Sequence, residues 1–422
     1  MENSFVFPVS LRVLPPAGGY PSEEDISNTW GEVKQTSSVQ NIWLPKIVAE
    51  LSRALNCSNL TLCSSGTASL FLLFSALKKV TSKDLIGISA YTCPDVASAA
   101  VKAGFRLAIL DIFENSLEID HVKLDRNIFP SLAGVVLSNL YGLPDRIDAW
   151  RQLASDHGFL VIDDACQAAN SSRGAFRVGT LPGTVGVVSF GRGKAIHGIG
   201  GGAVIWPLGE DPSVEKLKSQ VELIAKNLPL RGTESLCLAI ARLYGELLRR
   251  LEQPELFRLP ASLPFLGLGR TECVLSIKVG GISLAQLVFA LTQFRRQKRE
   301  GITSTSIAKA WAEGLAGLPI EQPLLARGYS YNTGVDLIRF PLLFRDGSTR
   351  DRIYREMSRV GLGVSVSYPK SLDNFEPLRT SIASKSSECA TSVAAKIMTL
   401  PVHRYVTNSD IYRGLEIIKN LI

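Results

Sequence analysis

FLVIDDACQAANSSRGAFRVGTLPGTVGVVSFGRGKAIHGIGGGAVIW, from Phe159 to Trp206, holds three short apolar runs separated by polar, glycine-rich turns. Phe159–Asp163, Gly186–Phe190 and Gly201–Trp206 have the length and composition of buried strands. Asp163 and Asp164 close the first run, and Ser189, Arg192 and Lys194 close the second; packing alone would put none of them there. In open α/β sheets ligands bind outside the carboxyl ends of the strands, so an acid and a lysine are expected to converge on one crevice. That pair suits pyridoxal phosphate: a lysine amine holds it as a Schiff base, and a carboxylate keeps the ring nitrogen protonated so that the ring is an electron sink. Ser189, five residues before Lys194, offers a phosphate ligand, and the Gly198–Gly202 run lets backbone come close. A P-loop is excluded twice, because Val188 stands where its first glycine belongs and Ala195 follows the lysine. The run from Gly198 to Ala203 matches a dinucleotide fingerprint only loosely and lacks an early βαβ context.

Taken together, DDACQA, SFGRGK and G-x-GGGAV resemble the DegT or StrS-type family of sugar aminotransferases, whose motifs read approximately D-A-A-[QH]-A, S-F-x-x-x-K and G-x-GGA. The resemblance runs from about Leu14 to the C-terminus and is weakest between Leu208 and Lys278. It implies fold type I: an α/β three-layer sandwich with a mostly parallel central sheet, plus a smaller α+β C-terminal domain. Residues 1–40 would be an N-terminal arm, 41–280 the cofactor-binding domain with 208–270 a divergent helical insertion, and 281–422 the connecting helix and small domain. The family acid precedes Gln or His by three residues, as Asp164 precedes Gln167. That assigns Asp164 to the ring nitrogen and Gln167 to the ring or its phenolic oxygen, with Asp163 a structural neighbour.

Composition narrows the classes. The chain has 422 residues, a net charge of +7 and seven cysteines. Its densest basic run, Arg295-Arg296-Gln297-Lys298-Arg299, comes without an element that reads nucleic acid. The scattered, odd cysteines argue against a zinc site or a disulfide framework and fit a reducing compartment. MENSFVFPVSLRV does not read as a signal peptide, so a cytoplasmic protein is expected. Leu236–Leu248 contains Arg242 and Glu246 and is too short to span a membrane.

Along the chain, Pro15, Pro16, Gly18, Gly19 and Pro21 predict an irregular arm, and Asn41 falls near a family asparagine. Ile47–Leu55 reads as an amphipathic helix and Leu60–Cys63 as a strand. Ser64-Ser65-Gly66-Thr67-Ala68 then opens an apolar helix, whose free N–H groups make an anion site. The resemblance puts the cofactor phosphate there, on Gly66 and Thr67. It also puts Cys93 where the family stacks an aromatic ring on the pyridine, with Tyr91 as a geometric substitute. Strand–helix alternation from 60 to 190 predicts a mostly parallel sheet with right-handed crossovers. Leu236, Ile240, Leu243, Leu247 and Leu251 form a helical stripe, read as a core or subunit-contact helix, with a membrane contact through neighbouring Arg249 and Arg250 as the sharper alternative. Pro260–Pro264 reads as a loop, Ser283–Arg299 as a long helix, and Leu337–Leu343 and Gly363–Tyr368 as strands. Ser276 and Lys278 match a family segment that reaches the partner subunit's phosphate. His403 reads as structural.

The resemblance implies a transaminase, an enzyme that shuttles an amino group from an amino acid, by family habit L-glutamate, to a keto group of a nucleotide-diphosphate sugar. It also implies a homodimer with shared active sites. Lys194 would move the proton between the substrate carbon and the cofactor, its amine depressed in pKa beside the cofactor's cation. Two alternatives stand beside this: another pyridoxal phosphate chemistry or a non-sugar ketone (a cyclitol, a lipid-linked substrate), and a cofactor-binding regulatory protein without turnover.

Overall fold

A computed structural model describes residues 10–35, 42–209, 212–263, 269–300, 304–329 and 334–422, so Asn41 lies outside the described residues. The strands are β1 (Asn59–Cys63), β2 (Leu85–Ser89), β3 (Arg106–Leu110), β4 (Leu132–Ser138), β5 (Leu160–Asp164), the two-residue β6 (Ser172–Arg173) and β7 (Phe176–Arg177), β8 (Val185–Ser189), β9 (Gly202–Trp206), β10 (Phe340–Leu343), β11 (Ile382–Lys385) and β12 (Ile397–Leu400). Eight of them form the main sheet in the order β1-β9-β8-β5-β4-β2-β3-β11. β9 runs antiparallel to both its neighbours, and the remaining pairs are parallel. β2, β4 and β8 are buried at every position, which is why they read as unbroken apolar runs.

Helices α1 (Glu23–Gln35), α2 (Leu44–Leu55), α3 (Gly66–Val80), α4 (Pro94–Lys102), α5 (Asp148–His157), α6 (Pro212–Ala225), α7 (Ser235–Leu251), α8 (Pro254–Ala261) and α9 (Leu284–Glu300) accompany the sheet. Successive strand residues point to opposite faces. Ile86, Ile88, Val136, Ile162 and Val187 pack toward α3, α4 and α6. Val188, Ala203 and Ile205 meet α2 and α9 on the other side. There, too, Val135, Leu137 and Val161 gather around Trp150 of α5. Beyond α9 come α10 (Ser304–Gly314), α11 (Pro323–Ala326), α12 (Gly347–Arg359), α13 (Glu388–Lys396) and α14 (Asn408–Leu421). The antiparallel pair β10–β12 and helices α10, α12 and α14 build a separate core around Trp311, Phe340, Ile353 and Met357.

Several expectations are corrected. The N-terminal stretch is not irregular throughout: past its prolines it forms α1, whose Ile26, Trp30 and Val33 bury against the layer that holds α9. Pro260 sits inside α8 rather than in a loop. Gly363–Tyr368 is no strand; a lone bridge joins Ser365 to Thr399, and Ser367 turns to φ 53°. The stripe on α7 is not core. Gly245 lies so close to Phe289 that a Cβ would come within 2.0 Å of the ring, and Leu238, Ala241 and Leu248 pack beside it. With that side inward, Leu236, Ile240, Leu243, Tyr244 and Leu247 face out, each more than half exposed. Among the described residues no helix is long and apolar enough to cross a membrane.

Candidate active site

The carboxyl ends of β4, β5 and β8 and the start of α3 meet at one cavity of about 180 Å³. Gly66, Thr67, Cys93, Asp164, Gln167, Ser189 and Lys194 line it together with Asp95, Asn139 and Cys166. Two acids sit side by side at the end of β5, and their partners separate them. Asp163 is fully buried and satisfied by Arg173 (2.7 Å), Asn139 Nδ2 (2.8 Å) and the Gly179 N–H (2.7 Å). Asp164 faces the cavity and accepts from the Cys166 N–H at 2.9 Å. Burial raises its pKa, against the Cys166 hydrogen bond and the charge of Lys194.

The protein's own groups act on the Lys194 amine in both directions. Burial does pull it down, but Cys93, Cys166, Asp164 and Asp95 outweigh that and hold it above its ordinary value. Cys93, itself pushed up to about 11 by burial, lines the cavity. Tyr91 does not; its ring is fully buried and its hydroxyl lies 3.1 Å from that of Tyr141. Gln167 is held rigidly, accepting from the Tyr141 N–H at 2.9 Å and donating to the Tyr368 hydroxyl at 2.9 Å.

At the start of α3, Ser65 caps the helix by accepting from the Ala68 N–H at 3.0 Å. The Gly66 and Thr67 N–H groups precede the first intrahelical bond, and both residues line the cavity. Two glycines make that approach possible. A Cβ on Gly66 would fall 2.8 Å from Ser189 Cβ and 3.0 Å from Cys166 Sγ, and one on Gly202 would meet the Gly66 nitrogen at 2.6 Å. Gly66→Ala is expected to destabilise the fold by about 1–3 kcal/mol in denaturant unfolding, because no rotamer change can clear Ser189 Cβ. Ser276 and Lys278, expected to serve a partner subunit, line an adjoining cavity of their own chain with Ser65, Thr67 and Asp95.

The sequence reading missed a second layer that holds Lys194 in place. Gly193, at φ 73°, donates its N–H to His197 Nδ1 at 2.9 Å. Nε2 lies 2.8 Å from Glu252 Oε1 at the end of α7. Glu252 Oε2 accepts from the N–H groups of Gly19 (2.8 Å) and Tyr20 (3.1 Å). His197, above all, pulls Glu252 down to about 2, although burial acts the other way as the largest single influence. His403, likewise buried, is lowered to about 4 by burial, and its Nε2 lies 2.8 Å from the Pro15 carbonyl. No short-range spacing signals either arrangement.

Residues 47–219 match the model of the DegT/DnrJ/EryC1/StrS aminotransferase family. The chain is 27% identical over 163 residues to the GDP-perosamine synthase of Vibrio cholerae, covering 39% of this chain and 44% of that protein. It is 33% identical over 144 residues to the L-glutamine:2-deoxy-scyllo-inosose aminotransferase of Micromonospora echinospora, covering 34% and 33% respectively. The chain thus spans less than half the length of the curated relatives it matches. The Helicobacter pylori PseC aminotransferase superposes with a TM-score of 0.73 over 97% of this chain and 99% of its own at 14% identity, which establishes the shared fold. The cavity lining from Ser65 to Lys194 falls wholly inside the matched stretch, and the chain therefore carries a DegT/DnrJ/EryC1/StrS aminotransferase family domain.

Proposed function

We propose that this chain is a pyridoxal phosphate-dependent aminotransferase that takes an amino group from an amino acid and delivers it to the keto group of a sugar or cyclitol. The observation that carries the reading is the meeting of Lys194, Asp164 and the Gly66–Thr67 helix start in one cavity. The residues fit the cofactor: the helix start and Ser189 would hold its phosphate, Asp164 its ring nitrogen, and Lys194 its aldehyde. Bound there, the cofactor supplies an electron sink for the pair left when a proton departs the carbon bearing nitrogen.

The chain's own residues do the rest. Asp164, in a dry site, is a poorly hydrated carboxylate that favours a protonated ring nitrogen beside it. Gln167, fixed between Tyr141 and Tyr368, sets the depth at which a planar ring can enter. Lys194 Nζ, once released, takes and returns the proton at the substrate carbon. The names of the relatives support a keto sugar or keto cyclitol as acceptor and glutamine as one donor, beside the L-glutamate that the family resemblance implies. A cytoplasmic homodimer belongs to the same reading. To test it, cofactor-loaded protein is incubated with L-glutamate or L-glutamine and the 2-oxo acid is counted. One equivalent per site is expected from one of the two. No oxo acid from any common amino acid would sink the reading and favour a binding protein.

A further inference from the structure

Lys194 borders a second cavity, of about 80 Å³, on the side away from Asp164. Its walls include Gly18 and Gly19 of the N-terminal stretch, His197, Arg296 of α9, and His403 and Arg404, which follow β12. Its charges do not balance. Asp336 is held by Asn170 at 2.8 Å and by Ser304. Glu252, behind the wall, accepts from the Gly19 and Tyr20 N–H groups, and His197 Nε2 lies 2.8 Å from its other oxygen. Arg296, its side chain 11% exposed, donates to the Gly19 carbonyl at 2.8 Å and meets Glu300 at 3.7 Å, with Asp25 a more distant counter-charge. Arg404 donates to the Tyr20 carbonyl at 2.6 Å, and among the described residues no carboxylate pairs with it. Burial and then the charge of Arg404 loosen Arg296's hold on its proton, which is the mark of two cations sharing one opening.

A second observation points the same way. His403 Nε2 is spent on the Pro15 carbonyl, while Nδ1 is buried and has no partner in the described structure. A neutral ring in that tautomer presents a lone pair, so it waits for a donor. Buried polar atoms without partners are uncommon in folded proteins. Guanidinium groups favour carboxylates and phosphates because their forked N–H groups match two oxygens.

The geometry points to this cavity as an oxyanion subsite, in which Arg296 and Arg404 take a carboxylate or phosphate of the substrate and His403 Nδ1 accepts from an adjacent hydroxyl or ammonium. The inference rests on the proposed activity only for which molecule brings the oxyanion; the binding itself is independent of turnover.

The test is calorimetric titration of cofactor-loaded protein, so that the Gly66 phosphate site is already filled, with glutarate and separately with inorganic phosphate. Wild type is expected to bind one equivalent of at least one of them. Arg404→Gln should weaken that binding about tenfold, Arg404→Lys should restore part of it, and Arg296→Gln with Arg404→Gln should abolish it. Arg53→Gln, an equal loss of charge on exposed α2, should leave it unchanged. Arg404 is exposed, so its variants are expected to fold, checked by circular dichroism. Tighter glutarate would assign the subsite to the amino donor's carboxylate, tighter phosphate to a phosphate ester on the acceptor. No binding of either anion, or equal binding by the double variant, overturns the inference. A protein that releases oxo acid yet binds neither anion would leave the activity standing and sink only this subsite. The reverse pattern would keep the subsite and sink the activity.

Discussion

Lys194→Ala protein mixed with pyridoxal phosphate is expected to keep no visible absorption after gel filtration, whereas wild type elutes yellow. Lys194 Nζ is the one amine lining the main cavity, and it stands with Asp164 and the helix start around the same space. Removing it takes away both the covalent anchor and the group that moves the proton. General acid–base contributions are typically 10²–10⁴-fold, so transfer by any residual enzyme should fall by roughly that factor or more. Lys194→Arg separates charge from reactivity: it keeps a cation beside Cys93, Cys166 and Asp164 but offers no amine of ordinary basicity. A yellow Lys194→Ala protein that still releases oxo acid would remove Lys194 from the reaction.

The second large effect is expected at Glu252. Glu252→Ala would strand the Gly19 and Tyr20 N–H groups and His197 Nε2, all buried or nearly so, at a cost of about 3–5 kcal/mol. Glu252→Gln keeps one acceptor and should cost less. The pH dependence has a definite sign. A carboxylate lowered from its ordinary 4.5 to about 2 contributes stability that is present above 4.5 and lost as pH falls through about 2. Urea unfolding across that window should therefore show a shallower slope in Glu252→Gln than in wild type. Loss of the Gly193 to His197 bond should also loosen cofactor retention, readable as faster bleaching on dialysis. Equal urea midpoints for wild type and Glu252→Ala would reduce the Glu252 contacts to ornament.

The strands could be read from sequence because burial on both faces leaves them no polar positions until they end, and those ends carry Asn139, Asp164 and Ser189. The helix start at Gly66 was legible for a similar reason: small hydroxyl residues before an apolar run have few other uses. What escaped is long-range. Helical spacing shows that α7 has a stripe but not which way it turns; Gly245 against Phe289 decides that. His197 and Glu252 lie on different elements, and nothing near either announces the other. The sign of the Lys194 shift depends on Cys93, Cys166, Asp164 and Asp95, gathered from two distant places in the chain. Tyr91 lies past the end of β2, where strand alternation no longer sets its direction, and its ring turns into the core toward Tyr141.

α7 carries two very different standards of tolerance along a single helix. On its inner side Gly245 has no room for a methyl group. At its end Glu252 reaches through an imidazole to the residue beside Lys194. On its outer side Leu236, Ile240, Leu243, Tyr244 and Leu247 touch little. A saturation library should thus return a sawtooth, with polar replacements accepted or even improving solubility on the outer positions and almost nothing accepted at 245 and 252. The segment that diverges most in sequence would then be free to drift on its outer surface while two of its residues stay tied to the chemistry.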